Sequence, residues 1–94
     1  MEKNKAKEKV LEFVQEIQKS QKGIANSELE QKIQDSFELI DHFEFGVALE
    51  NLIENLYEFD IPISQNQIAI AREAAEAMEI NWGKFEYIEE LKSK

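Results

Sequence analysis

One stretch, from Glu44 to Ser64, constrains the fold more than any other part of the chain. Its apolar residues recur at intervals of three and four, the spacing that places side chains on one face of an α-helix. These residues are Phe45, Ala48, Leu49, Leu52, Ile53, Leu56 and Phe59. Pro62 then removes a backbone donor and disfavours helical geometry at the residue before it. The sequence therefore predicts a helix that buries one face and ends near Phe59 or Asp60.

Two more helices are predicted before this stretch. Good helix formers with an apolar stripe predict a first helix from about Lys3 to Gln21. Apolar residues at intervals of four and three predict a second helix from about Glu28 to Asp41. Gly23 suits the left-handed position after the first helix, and Asn26 or Ser27 can cap the start of the second. A tight turn is then favoured over a continuous helix as the link to the central stretch.

Two further helices are predicted after the proline. Ser64 and Gln67 have the spacing of a capping box, which predicts a helix from Gln65 to Met78. A short last helix is predicted from Lys84 to Leu91. Because the connections are short, the expected fold is an all-α bundle of four to five antiparallel helices. A chain of 94 residues suits one domain, so residues 1–94 are predicted to form a single domain whose first four residues fray.

Composition excludes several classes of protein and site. The chain has no cysteine and one histidine, which excludes a disulfide-stapled fold, a cysteine nucleophile and a zinc cluster. Its three glycines are scattered, which excludes a glycine-rich phosphate loop. The charged amino terminus does not suit a signal peptide, and no apolar run is long enough to span a membrane. The sequence therefore predicts a cytoplasmic protein that has no catalytic site, metal site or cofactor.

The net charge of −9 is concentrated in the middle of the chain. Residues 23–60 contain one lysine and ten acidic residues, whereas the segments on either side are close to balance. Such a field repels nucleic acid and anionic lipid and attracts a basic protein, although an acidic composition can also serve solubility alone. We therefore predict a protein partner and no binding to nucleic acid or membrane. The sequence leaves both a monomer and a homo-oligomer open.

The outer face of the central helix is the candidate binding surface. Glu50, Glu54 and Glu58 follow one another at intervals of one turn, and no lysine or arginine occurs in residues 33–71. Like charges at this spacing weaken an isolated helix by about 0.2–0.5 kcal/mol per pair, a cost that a basic partner would reverse. Tyr57 lies among these charges, as interface anchors do. A half-buried core tyrosine with its hydroxyl in water is an equal alternative for this residue.

A serine in the second predicted helix suggests a different class of function. Asp35-Ser36-Phe37 looks like the Asp-Ser-Leu attachment site of acyl carrier proteins, where the serine opens a helix that leads to an Ile-Pro turn. In this chain Ser36 lies inside a helical pattern, and a turn at residues 42–44 separates it from the next helix. A polar position in the middle of a helix is therefore the favoured interpretation, and an acyl-carrier-like role for Ser36 is an alternative.

The central helix and the turn after it resemble a known family. The segment from Gly46 to Ser64, GVALENLIENLYEFDIPIS, resembles the signature of MafI-type immunity proteins of bacterial polymorphic toxin and contact-dependent inhibition systems. The matching positions are Gly46, Ala48, Leu49, Glu50, Leu52, Leu56, Glu58, Asp60, Pro62, Ile63 and Ser64, with a looser match from Met78 to Trp82. Ile53 and Asn55 stand where the family has a cysteine and an acidic residue. The resemblance covers about the last half of the chain.

The resemblance implies that the protein binds and neutralises a cognate toxin domain in the producing cell. Such toxins are often nucleases, in some systems EndoU-type ribonucleases, and a nuclease is basic where it holds RNA. An acidic helix would occlude that surface and would mainly raise the association rate and the specificity. An acidic helical adaptor or regulator is the alternative. The residues expected to contact the toxin are Glu50, Glu54, Tyr57, Glu58 and Asp60, with Asp41 and Glu44 at the rim.

Overall fold

The computed structural model describes residues 3–92, which form α-helices and short 3₁₀ segments and contain no strand. The helices are α1 (Lys3–Ser20), α2 (Ser27–Asp41), α3 (Phe45–Glu58) and α4 (Gln65–Ala77). Two 3₁₀ segments follow, Trp82–Lys84 and Glu86–Leu91, which we call together the C-terminal segment. The predicted all-α bundle of four to five helices is confirmed.

Helices α1 and α4 form the most extensively packed pair. Lys9 Nζ lies 3.4 Å from Glu73 Oε1, and Gln67 Nε2 donates to the carbonyl of Glu16 at 3.3 Å. Residue numbers therefore rise along one helix as they fall along the other, so the pair is antiparallel. The apolar residues that the two helices bury are Ala6, Val10, Phe13, Val14 and Ile17 on α1, and Ile68, Ile70, Ala71, Ala74 and Ala75 on α4.

Helices α2 and α3 form a second antiparallel pair, whose contact includes polar side chains. Ser36 Oγ donates to the carbonyl of Ala48 at 3.3 Å. Asn51 Nδ2 donates to Ser36 Oγ at 3.1 Å and to the carbonyl of Lys32 at 3.3 Å. Asn55 Nδ2 in turn donates to the carbonyl of Asn51 at 2.7 Å. Because the buried Ser36 and its neighbours satisfy one another, this polar seam is compatible with the core around it.

The apolar face predicted for α3 forms the centre of the core. Six of its seven predicted residues are buried, and only Phe59 is partly exposed, because it is the C-cap beyond the last helical turn. The helix ends at Glu58, one residue before the predicted end. Ile63, in the turn after the proline, is buried as its apolar neighbours suggest. The spacing of apolar residues by three and four therefore predicts the buried face of α3 correctly.

The predicted helix starts are also confirmed. Asn26 caps α2, its Oδ1 accepting from the N–H of Leu29 at 3.0 Å. At the start of α4, Ser64 Oγ accepts from the N–H of Gln67 at 3.0 Å, and Gln67 Oε1 accepts from the N–H of Ser64 at 2.9 Å. This reciprocal pair is the predicted capping box. Gly23, after α1, has the predicted left-handed backbone with φ of 86°.

Helices α2, α3 and α4 end in the same kind of turn. The second residue after each helix has a positive φ: 61° at Phe43, 54° at Asp60 and 59° at Glu79. In each turn the following N–H donates to the carbonyl five residues earlier, at distances between 2.8 and 3.0 Å. This bond is the mark of a Schellman motif, in which glycine is the usual left-handed residue. These three turns use other residues in that position.

The C-terminal segment differs from the prediction of an α-helix from Lys84 to Leu91. Its buried residues Phe85, Ile88 and Leu91 are spaced strictly by three, which matches the three residues per turn of a 3₁₀ helix. The N–H of Ile63 donates to the carbonyl of Leu91 at 3.0 Å and ties the segment to the α3–α4 linker. At the other end, α1 begins at Lys3 inside the segment predicted to fray, whose first two residues lie outside the described range.

Candidate partner-binding surface

The acidic side chains of α3 lie together on its outer side, as predicted. Glu54, Tyr57 and Glu58 are exposed, and Glu50 is partly exposed. At 3.6 residues per turn, the four residues fall within about 100° of arc around the helix. We call these four residues the acidic face. Successive carboxylates along it are separated by about 6 Å of helix rise, since four residues rise 1.5 Å each.

A lysine from the C-terminal segment reaches one end of the acidic face. Lys84 Nζ lies 2.9 Å from Glu50 Oε2. This pair was not anticipated, because no cation occurs near Glu50 in the sequence. Lys84 is exposed and Glu50 is partly exposed, so solvent screens the pair and it stabilises the fold only weakly. No ion pair within residues 3–92 involves Glu54 or Glu58, so no lysine or arginine there offsets these two carboxylates.

Two aromatic rings lie beside these carboxylates. Tyr57 packs edge to face against Tyr87 of the C-terminal segment, with 4.8 Å between ring centroids, and its hydroxyl donates to Glu90 Oε1 at 3.2 Å. That hydrogen bond raises the pKa of Tyr57 above its usual value. Burial raises the pKa of Tyr87, and the charges of Glu54 and Glu50 add to this effect. Although Tyr57 is exposed, the C-terminal segment contacts its ring and accepts a hydrogen bond from its hydroxyl.

The other predicted contact residues lie at the two ends of α3. Asp60 follows the helix and is close enough to Tyr57 for its charge to contribute to the raised pKa of that tyrosine. Asp41 and Glu44 are exposed in the turn that precedes α3. The 14 residues of α3 span about 21 Å at 1.5 Å per residue. Asp41 and Glu44 therefore form a separate rim at the far end from Asp60.

The C-terminal segment adds residues to this surface that were not predicted from the sequence. Lys84, Tyr87 and Glu90 are spaced by three, and in a 3₁₀ segment that spacing places them on one side, here against α3. Their partners on α3 lie 30 or more positions away in the chain, so helical periodicity alone does not connect them. Recognition of the strict period of three in the segment would have indicated a second row of side chains beside its buried row.

Ser36 is not accessible in this structure. Its side chain is fully buried, with 0% exposure, and its hydroxyl bonds with Ala48 and Asn51. These positions agree with the interpretation of Ser36 as a polar residue within a helix. A transferase could not reach this hydroxyl to attach a prosthetic group without opening the contact between α2 and α3. The structure therefore does not favour the acyl-carrier-like alternative.

The described residues lack the features of two other kinds of site, a metal centre and a membrane-spanning helix. The described residues contain no group of three or more His, Asp or Glu side chains placed to hold a metal ion. No helix in residues 3–92 has the length and apolar character needed to cross a membrane. His42 is exposed, and its Nδ1 lies 2.8 Å from the carbonyl of Glu38. No family model, no curated protein and no solved structure matches this chain.

Proposed function

We propose that the protein is an immunity protein that binds a cognate toxin domain in the cytoplasm of the producing cell. The favoured toxin is a nuclease of the EndoU type, and the acidic face of α3 would cover its basic RNA-binding surface. The observation that carries this proposal is the exposed row of carboxylates on α3, with Tyr57 and Tyr87 beside it. The resemblance of residues 46–64 to MafI-type immunity proteins supports the same partner class.

Charge supports a basic partner. Helices α2 and α3 together carry eight acidic residues and one basic residue. A field of this sign accelerates encounters with a basic surface and disfavours acidic competitors. Lysine and arginine side chains that hold RNA phosphates would instead pair with Glu54 and Glu58, which have no cation beside them in the described structure. Occupation of those groups by carboxylates would exclude RNA without any chemical step.

The aromatic pair supports a specific contact rather than a purely electrostatic one. Tyrosines are enriched among residues that contribute most to binding, because a rigid ring buries much area for little loss of conformational entropy. The hydrogen bond to Glu90 and the edge-to-face contact with Tyr87 hold the ring of Tyr57 before any partner arrives. Such pre-organisation lowers the entropic cost of association.

The proposal is tested by charge reversal on the acidic face. The partner is the C-terminal domain of the secreted protein that we expect the gene directly upstream to encode. Glu54→Lys should slow association by about tenfold at low salt, with a smaller effect at high salt. Glu8→Lys is the matched control, because Glu8 is an exposed residue of α1 and its reversal changes the net charge equally. Stopped-flow or biosensor kinetics measure both rates.

A change of the opposite sign sharpens the test. Lys84→Gln removes the cation that neutralises Glu50, so association should be faster than for the unmodified protein. Joint reversal of Glu50 and Glu54 with no change in binding would rule out the acidic face as the contact. The absence of a complex at both low and high salt would overturn the immunity function itself and leave the adaptor alternative.

A further inference from the structure

Phe43, in the turn between α2 and α3, is the most exposed of the large apolar residues in the described structure. Its side chain is 74% exposed, and its backbone has the left-handed φ of 61° that glycine favours. The equivalent positions after α3 and α4 hold Asp60 and Glu79, whose charged side chains are readily solvated. An aromatic residue at this position gains little from burial and is disfavoured by its backbone. The folded chain alone therefore does not account for this phenylalanine.

Phe43 forms one wall of an open apolar pocket. The cavity has a volume of about 220 Å³, and its other lining residues are Phe45, Gly46, Met78 and Ile80. The rings of Phe43 and Phe45 meet edge to face, with centroids 6.1 Å apart. Gly46 adds no side chain to this space, and a Cβ at its position would lie 3.8 Å from Ile80 Cδ1 and 4.0 Å from Met78 Sδ. The volume is smaller than the roughly 300 Å³ at which small-molecule sites begin, so the pocket suits a single side chain.

The pocket lies one helical turn from the acidic face, because its lining residue Gly46 precedes Glu50 by four residues on α3. Val47 follows Phe43 by four residues and is 50% exposed. Glu50 follows Val47 by three residues and Glu54 by seven, so all three residues lie on one side of α3. An exposed apolar residue, Val47, therefore lies beside the row of carboxylates on α3. Specific interfaces combine apolar anchors with charged surroundings in the same way.

The charges around the pocket indicate the sign of its occupant. The chain segments that line it, residues 41–47 and 76–81, contain four acidic residues and no lysine or arginine. The acidic residues among them are Asp41, Glu44, Glu76 and Glu79, and Glu76 forms an ion pair with Arg72 at 3.8 Å. A second copy of this chain, with its net charge of −9, would be repelled by that rim. A basic protein would be attracted to it.

We infer that this pocket receives one aliphatic or aromatic side chain of the same basic protein that binds the acidic face. The inference rests on the proposed function for the identity of the partner, but it concerns a different part of the surface. The inserted side chain would cover Phe43 and Val47, and lysine or arginine residues next to it would meet the acidic rim. The acidic face would then control how fast the complex forms, and the pocket would control how long it lasts.

Methyl NMR tests the pocket directly. Met78 is one of only two methionines in the chain, so labelling of methionine methyl groups yields two signals, which a Met78→Leu variant assigns. The probe is the unlabelled C-terminal toxin domain encoded upstream. Insertion of a side chain should shift the Met78 signal on complex formation. A complex that leaves this signal unchanged would overturn the inference while the proposed function stands.

A variant of Phe43 provides the affinity test. Phe43→Gly removes the ring and suits the left-handed backbone, so the protein should fold at least as well as before. We expect about tenfold faster dissociation of the complex, largely independent of salt. Ile24→Ser is the matched control, because Ile24 is 53% exposed at the other end of α2 and its loss should leave dissociation unchanged.

The outcomes separate the two proposals. Weaker binding by Glu54→Lys with normal binding by Phe43→Gly would reject the pocket and keep the acidic face. The reverse result would reject the acidic face and keep the pocket. A Met78 signal that shifts with protein concentration in the absence of a partner would show that a second copy occupies the pocket, which contradicts the inference. No complex at all would reject both proposals.

Discussion

The two helix pairs of this bundle are built from different kinds of contact. The α1–α4 pair buries an apolar face rich in alanine with one polar side chain, Gln67, near its end. Its outer charges form ion pairs such as Lys9 with Glu73 and Arg72 with Glu76. The α2–α3 pair buries Ser36 and half-buries Asn51 in its polar seam, and it leaves Phe43 and Val47 exposed. One pair resembles an optimised structural contact, whereas the other contains several features that weaken an isolated fold.

The distribution of charge follows the same division. Helices α1 and α4 together carry six basic and five acidic residues, whereas α2 and α3 carry one basic and eight acidic residues. Proteins commonly keep stability low where binding or catalysis requires strained or exposed groups. Under the proposed function, α1 and α4 would serve mainly as a support, and α2 and α3 would present the working surface.

The largest effect should come from the core of the support. Phe13→Ala removes a fully buried ring from α1 and should lower the free energy of unfolding by about 3–5 kcal/mol. Phe43→Ala, the control on the working surface, should change it by about 0.5 kcal/mol or less. Urea unfolding followed by circular dichroism measures both values. A large loss for Phe43→Ala would erase the contrast between the two pairs.

A smaller effect is expected in the polar seam of α2 and α3. Asn51→Ala removes the bonds to Ser36 and to the carbonyl of Lys32 and should cost about 1–2 kcal/mol. A double-mutant cycle with Ser36→Ala should give a coupling energy of about 0.5–1.5 kcal/mol. The cycle for Lys9 and Glu73 is the comparison in the other pair, and its coupling should be weaker because that ion pair is exposed. Equal coupling in both cycles would contradict the distinction.

A still smaller change in the free energy of unfolding is expected when glycine replaces the left-handed residue after a helix. Phe43→Gly and Glu79→Gly should each raise the free energy of unfolding by about 0.5–1 kcal/mol, because glycine accepts the left-handed backbone without steric cost. Asp60→Gly should gain less, since aspartate tolerates this conformation better. Thermal unfolding ranks the three variants. A loss of stability for Phe43→Gly would show that its ring contributes to the fold and would weaken the case for a partner contact.

The smallest effect concerns the tyrosines between α3 and the C-terminal segment. Tyr57 and Tyr87 both have a folded pKa above the usual value of 10.0. Their neutral hydroxyls therefore contribute stability to the folded state below pH 10, and this contribution is lost as the pH rises through the folded pKa. Glu90→Gln should lower the pKa of Tyr57 and leave that of Tyr87 raised, because burial dominates for Tyr87. Ultraviolet absorbance or ring-carbon NMR follows the titration. A joint fall of both values would contradict this assignment.

Local chemistry explains what the sequence could predict. The buried face of α3, the stop before Pro62, the cap at Asn26 and the capping box at Ser64 all depend on residues a few positions apart. These features can therefore be recognised from the sequence alone. The outward direction of Glu54 and Glu58 follows from the same helical period, so the centre of the candidate surface was also predictable.

Long-range and conformational features were not predictable in this way. The contacts of Lys84 with Glu50 and of Glu90 with Tyr57 join residues 34 and 33 positions apart, and they depend on a 3₁₀ segment where an α-helix was expected. The turn after α2 was expected, but not the left-handed phenylalanine within it. Aromatic residues rarely adopt the left-handed backbone, so a phenylalanine at position 43 does not indicate this type of turn.

The pairing of the helices also has a consequence for the order in which the newly made chain can fold. Helices α2 and α3 are neighbours in sequence, so they can associate as soon as both have left the ribosome. Helix α1 is synthesised first, yet its main partner is α4, and the contacts between them span 51 and 64 residues. Helix α1 can pack against α2 and α3 before α4 has emerged, but we expect the part of its apolar face that meets α4 to stay uncovered until then. The packing of α1 is therefore completed later than that of α2 against α3.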